Sequence, residues 1–364
     1  MPGESFPKVW KKLMNAPPDM NAMKPLFTLD DQLRGGNPVE LVVLLVPGFS
    51  QLALHAFLEP FRIANMLAKA KLFRWRIAGL DSRPVEGASG ISVAVDMTID
   101  ELDTCIGGRG PHHLAIIAGE PVVRRLPAQI NNVLRAFARR GIAISAVGTA
   151  TWLLAQTGLL AGTRCTIHWS RLAAFSEMFS QTQIRDALFV KDGQFSTCAG
   201  ELAAFDLAVD LIAGHVGGLA AQEVCRYATV EGQRSGTNRQ TGPSGLAFAG
   251  ASDKLLMAMR LMEEYVEYPL SMSEVARRVG ISRRQLERLF AHHVHMPPVR
   301  HYLRIRVEHA KRLIEGTSLP IIDIAMACGF ISASHFAKCF RTFHGVSPQQ
   351  CRIALPAWVG PGLG

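Results

Sequence analysis

Residues 271–352 read SMSEVARRVGISRRQLERLFAHHVHMPPVRHYLRIRVEHAKRLIEGTSLPIIDIAMACGFISASHFAKCFRTFHGVSPQQCR, and they decide how the rest of the chain is understood. Two similar blocks lie inside this stretch. In the first, Val275-Ala276 precedes Gly280-Ile281, then Leu286, then Leu289-Phe290. In the second, Ile324-Ala325 precedes Gly329-Phe330, then Phe336, then Cys339-Phe340. The two glycines are 49 residues apart. Each block predicts a short helix, a tight turn and a second helix. A small alanine lets the helices approach, and glycine supplies the positive φ of the turn. Later apolar residues at i, i+3 and i+4 pin the second helix on the first. This is the helix-turn-helix pattern, whose second helix enters a DNA major groove.

The pattern extends beyond the two blocks. Between them runs Arg306, Ala310 and Leu313, and after them come His335-Phe336, Phe340, Gly345-Val346-Ser347-Pro348 and Arg352. With these residues the stretch resembles the DNA-binding domain of the AraC/XylS family of transcription regulators. The resemblance implies double-stranded DNA as a partner and a rigid central helix, here about 299–314, joining two reading units. It also implies recruitment of RNA polymerase, so an activator is expected. The recognition helices are expected over about 283–291 and 333–343, in successive grooves about 34 Å apart. Ser282 and Ser332 are natural N-caps. Arg283, Arg284, Glu287 and Arg288 face outward on the first helix, where Arg reads guanine and Glu accepts from cytosine. Ala333, Ser334, His335 and Lys338 face outward on the second. That face is chemically weaker, so more base specificity is expected from the first.

Charge agrees with this assignment. The chain of 364 residues carries a net +9. From Lys254 onward 15 Lys and Arg stand against 8 Asp and Glu, so most of the excess sits where phosphates would bind. The cysteines, 7 in all, show no metal-ligand spacing and read as reduced, buried thiols of a cytoplasmic protein. No metal and no cofactor is expected. The N-terminal lysines precede no apolar run, and no segment is long and apolar enough to span a membrane.

The front of the chain alternates strand and helix. Apolar runs at 40–46, 73–80, 113–118 and 142–147 predict buried strands, with a short strand at 91–95. Helices are expected over 52–68, 126–139 and 151–157. The alternation predicts an α/β domain with a mostly parallel, flavodoxin-like sheet sandwiched by helices. An all-α domain with the two helix-turn-helix units follows it. The expected division is an arm at 1–38, a front domain at 39–230 and a Gly-rich linker at 231–252. The DNA-binding domain at 253–352 and a tail at 353–364 complete it.

Several segments of the front domain carry a second resemblance: Val46-Pro47-Gly48-Phe49-Ser50, Glu59-Pro60-Phe61-Arg62, Gly158-Leu159-Leu160-Ala161-Gly162, His168-Trp169 and Thr197-Cys198-Ala199-Gly200. Residues 40–228 resemble the class I glutamine-amidotransferase-like superfamily, in the version fused to AraC-type domains in bacterial regulators. Enzymes of that superfamily carry a cysteine nucleophile on a sharp strand-to-helix elbow. Here the elbow is Val147-Gly148-Thr149, and Gly148 has no side chain to attack with. No catalytic residue is therefore assigned, and the chain is not read as an enzyme.

In an open parallel sheet, ligands sit at the carboxyl ends of strands. The expected pocket comprises Phe49, Gly119, Gly148, Thr149, Trp152, His168 and Trp169, with Glu59 as its acid. Backbone donors, an acid and aromatic faces suit a small zwitterion or a quaternary ammonium. The resemblance implies an effector of the amine, betaine or amino-acid class, and a homodimer. Two other readings stay open: an architectural DNA binder with a ligand-free dimerising front domain, and an active amidotransferase or hydrolase fused to a DNA-binding part.

Overall fold

The computed structural model describes residues 37–105, 111–120, 127–240 and 252–353. The expected arm up to residue 36, the linker core 241–251 and the tail 354–364 lie outside the described residues.

The front domain is a three-layer α/β unit. Its strands are β1 (Val39–Leu45), β2 (Phe73–Gly79), β3 (Val85–Glu86), β4 (Ser92–Val93), β5 (Met97–Thr98), β6 (His113–Ala118) and β7 (Ala143–Gly148). The run continues with β8 (Arg164–Cys165), β9 (Gln183–Ile184), β10 (Phe189–Asp192) and β11 (Phe195–Cys198). The main sheet has the order β10-β11-β7-β6-β1-β2-β5. Its pairs are parallel except β10 with β11, which form a hairpin. β1 shows why the strands form. Val42 and Leu44 enter one core while Leu41, Val43 and Leu45 enter the other. Period-two alternation with both faces apolar is the signature of a sheet covered on both sides.

Helices α1 (Gln51–Ala68), α6 (Ala203–Val216) and α7 (Gly218–Tyr227) cover one face. Helices α2 (Ile99–Cys105), α3 (Ala128–Arg139) and α4 (Ala150–Gln156) cover the other. A single 3-10 turn at Trp169–Arg171 leads into α5 (Leu172–Met178). The two-residue strands β3, β5, β8 and β9 and helix α2 were not expected from the sequence.

Residues 231–240, expected as the start of a flexible linker, are docked on the front domain. Arg234 forks onto Asp206 with bonds of 2.9 and 2.6 Å. Asp206 is 2% exposed, so a buried carboxylate has its partner only if this segment lies down. The amide of Leu188 donates to Asn238 O at 2.9 Å. Gln240 donates through Nε2 to Ile167 O at 2.8 Å.

The helical part follows as α8 (Asp253–Glu264), α9 (Met272–Val279), α10 (Arg283–His293), α11 (Pro298–Gly316), α12 (Ile321–Ala327), α13 (Ala333–His344) and α14 (Pro348–Ile353). Both expected helix pairs form. Ser271, Ser282 and Ser332 cap α9, α10 and α13, and Ser282 with Gln285 closes a full capping box. Arg306, midway along α11, donates to Cys328 O at 2.8 Å and Gly329 O at 2.7 Å. Its guanidinium lies 4.2 Å from the centroid of the Phe330 ring.

The two turn glycines are not equivalent. Both adopt positive φ, 74° at Gly280 and 71° at Gly329. A Cβ at Gly280 meets only Lys254 Nζ at 3.5 Å, whereas one at Gly329 meets Pro269 Cγ at 2.6 Å and Val266 O at 2.7 Å. Gly280→Ala should therefore cost only the left-handed strain, about 1 kcal/mol, and Gly329→Ala about 3 kcal/mol, because backbone must also move. Urea unfolding of the helical part, followed by circular dichroism, checks the inequality; equal losses contradict it.

Candidate effector and DNA sites

The elbow forms where the sequence places it. β7 ends at Gly148, whose φ is 71°, and α4 starts two residues later. The room for a nucleophile is gone. A Cβ on Gly148 would sit 2.5 Å from Ala118 O, and one on Gly200 would sit 2.8 Å from Gly148 Cα. A Cβ on Gly119 would overlap Gly48 O. The carboxyl ends of β1, β6, β7 and β11 are thus packed backbone on backbone. Thr149 is 4% exposed, and its hydroxyl donates to Gly119 O. Its amide donates to Ala118 O at 3.1 Å. The only hydroxyl on the elbow is tied down as a structural donor.

Three expected pocket residues lie elsewhere. Phe49 is 0% exposed and belongs to the core between the sheet and α1. Trp152 is 3% exposed and meets Phe175 and Phe179 edge-on, with centroids at 5.8 and 5.3 Å. Both are core residues rather than faces of a ligand cage. Glu59 stands in the ninth position of α1, roughly 12 Å along the axis from the end that faces the elbow. It is half-exposed and holds Arg62 at 2.7 Å. The seven-residue α4 also offers fewer free amides than expected, since the Trp152 amide donates to Thr149 O at 2.9 Å.

The acids at the mouth are Glu120 and Glu201. Glu201 is exposed, has φ 49° and accepts from Ser50 Oγ at 2.7 Å. A positive φ on a residue other than glycine, just after Gly200, places this carboxylate beside the elbow. Glu120 follows β6 and receives both Nε and Nη2 of Arg171 at 2.5 Å, the bidentate fork of a strong charge-assisted pair. His168 and Trp169 are half-buried, with ring centroids 5.2 Å apart. His168 Nδ1 lies 2.8 Å from Ser170 Oγ, which fixes the ring. Burial pushes its pKa down, and the carboxylates of Glu201 and Glu120 push the other way. The mouth thus brings together Ser50, Glu120, Gly148, Thr149, His168, Trp169, Arg171 and Glu201. Sequence reasoning missed Ser50, Glu120 as an acid, Arg171 and Glu201. The pair Ser50–Glu201 is 151 residues apart in the chain, which leaves no local signal.

In the helical part all eight expected DNA residues are exposed on α10 and α13. Arg283 is bonded to Glu287 at 3.0 Å, which orients both. Among the described residues neither Arg284 nor Arg288 has an acidic partner. On α13, His335 Nε2 turns along its own helix to Cys339 Sγ at 3.4 Å. Ser334, Ala337, Lys338, Arg341 and Thr342 line a shallow groove beside it. Arg341 and Thr342 were missed, although their spacing from Ser334 and Lys338 marks one helical face. Arg277 and Arg278 both hold Glu274, whose carboxyl they push down to about 2.

The chain matches the DJ-1/PfpI family model over residues 41–214 and the helix-turn-helix domain model over 275–353. It is 33% identical to the HTH-type transcriptional regulator GbdR of Pseudomonas aeruginosa, over 88% of this chain and 86% of that one. It is 34% identical to the HTH-type transcriptional regulator CdhR of the same organism, covering 86% of this chain and 91% of that one. For the HTH-type transcriptional regulator GlxA of Rhizobium meliloti the figures are 32%, 85% and 94%. A DJ-1/PfpI sheet followed by paired helix-turn-helix units defines a class of DNA-binding transcription regulators. The chain belongs to it: it is an AraC-family regulator with an amidotransferase-like front domain. No helix among the described residues is long and apolar enough to cross a membrane.

Thiol chemistry tests whether any of the cysteines is poised to react. Burial raises the pKa of Cys165 to about 11 and of Cys198 and Cys328 to about 12, and pushes Cys225, Cys339 and Cys351 up as well. At pH 7 these six thiols are protonated and all but the half-buried Cys351 are shielded, so native labelling by iodoacetamide should be slow at each and, at the five buried ones, accelerate only on unfolding. Mass spectrometry that finds one of them alkylated at the rate of a thiolate would overturn this assignment.

Proposed function

We propose that the chain is an effector-responsive regulator whose front domain senses a small amine, betaine or amino-acid-like metabolite and performs no catalysis. The observation that carries this reading is the mouth itself. Two carboxylates, Glu120 and Glu201, flank an elbow at which Gly148 leaves no nucleophile and no space for one. Carboxylates with the half-buried faces of His168 and Trp169 suit a cationic head. Activation through RNA polymerase, a homodimeric state and a cytoplasmic location rest on the family resemblance, and operator half-sites paired by a dimer follow from it. The relatives' designation as transcriptional regulators supports the non-catalytic reading.

A thermal-shift screen of the full chain against quaternary amines, amino acids, betaines and carboxylates tests the sensor. A ligand at about 100 times its Kd should stabilise the front domain by about 2.7 kcal/mol. The shift should vanish on Glu201→Gln or Glu120→Gln and persist on Glu59→Gln. A shift that survives both mouth variants contradicts the assignment. Silence across every class favours the ligand-free architectural reading.

A further inference from the structure

The mouth touches the DNA-binding part. α11, which joins the two helix-turn-helix units, packs its carboxyl end against α5 and the 3-10 turn before it. The approach is close because it ends in Gly316. A Cβ there would meet Ala174 Cβ at 2.6 Å and Arg171 Nη1 at 3.5 Å. Arg171 therefore spans two sites. Its Nε and Nη2 are spent on Glu120 at the mouth, and its Nη1 faces the end of α11. The pair is also asymmetric in its access. The Arg171 side chain is 13% exposed, while that of Glu120 is 43% exposed. An incoming ligand reaches the carboxylate and not the guanidinium. The same turn is gripped from a third side by the docked strap, where Gln240 donates to Thr166 Oγ1 at 3.1 Å and Ile167 O at 2.8 Å.

We infer that Arg171 is the coupling residue: held on Glu120 it keeps α11 docked on the front domain, and a cation that takes Glu120 releases it. This rests on the reading of the mouth as a cation site. Taking Glu120 away leaves a mostly covered guanidinium without its counter-charge, which an undocked arrangement relieves by hydration, and taking Arg171 away removes the side chain that packs on the end of α11. A ligand that binds the undocked state better shifts the equilibrium toward it, and undocking raises ligand affinity in return. The central helix then presents its two reading units free of the front domain.

The test needs no ligand, so a silent effector screen leaves it intact, and its own failure leaves the effector reading standing. Hydrogen exchange is measured on the full chain for wild type, Glu120→Gln, Arg171→Gln and Gly316→Leu. The first two remove the pair from either side, and the third wedges the interface. All three should speed exchange about tenfold or more in residues 172–178 and 312–316, while β6 and α9 stay within about twofold of wild type. The proposal is overturned if Gly316→Leu speeds exchange and the two pair variants do not, because docking would then be independent of Glu120. It is equally overturned if no variant changes either segment, or if only one of the two pair variants does.

Discussion

The guanidinium of Arg306 ties the DNA-binding part together. It stands in the middle of α11, bonds two carbonyls of the second helix-turn-helix turn and stacks on Phe330. Burial lowers its pKa from the usual arginine value, yet arginine remains charged at any physiological pH. Each bond to a charged donor is worth about 1.5–3 kcal/mol, and lysine cannot reproduce a fork of this shape. Through this contact the second unit is fixed to the helix that also carries the first. The end of that helix, ten residues on, meets the front domain at Ala174. One helix thus sets the spacing of the reading units and bears on the front domain.

At the front, the governing constraint is backbone crowding. Four strand ends converge so tightly that Gly119, Gly148 and Gly200 leave no volume for a Cβ. The elbow keeps its shape and carries no side chain at Gly148. What remains is polar groups brought in from loops: Ser50, Glu120, His168, Arg171 and Glu201. They gather two carboxylates, a guanidinium, an imidazole and a hydroxyl at one mouth.

Much of the architecture was legible in the chain. β1, β6 and β7 are near-continuous apolar runs, and such runs announce strands buried on both faces. The helix-turn-helix units were legible because their packing is local and repeats with fixed spacing. The two-residue strands were not, since backbone pairing alone defines them and no periodicity fits in two residues. The strap at 231–240 reads as polar and flexible until Asp206 is seen to be buried and in need of a counter-charge. Glu59 illustrates the limit for the site. A carboxylate in an apolar helix looks functional, but only the position of the start of α1 shows that it lies turns away from the elbow. The true mouth acids reach it from separate loops, Glu201 paired across 151 residues and Glu120 across 51.

The two reading helices differ in kind, and that difference is the central claim about function. α10 offers Arg284 and Arg288, without acidic partners among the described residues, beside an oriented Arg283–Glu287 pair. α13 offers a groove of Ser334, Lys338, Arg341 and Thr342, suited to phosphate. The most direct measurement is selection of binding sites from random duplexes by the full chain, followed by salt titrations of variants. Arg284→Ala and Arg288→Ala should each relax preference at a base position by about 1–3 kcal/mol. Lys338→Ala and Arg341→Ala should weaken all sequences alike and lower the salt slope by about 1 each. Uniform loss from the α10 variants, or selected duplexes with no shared sequence, would contradict the account.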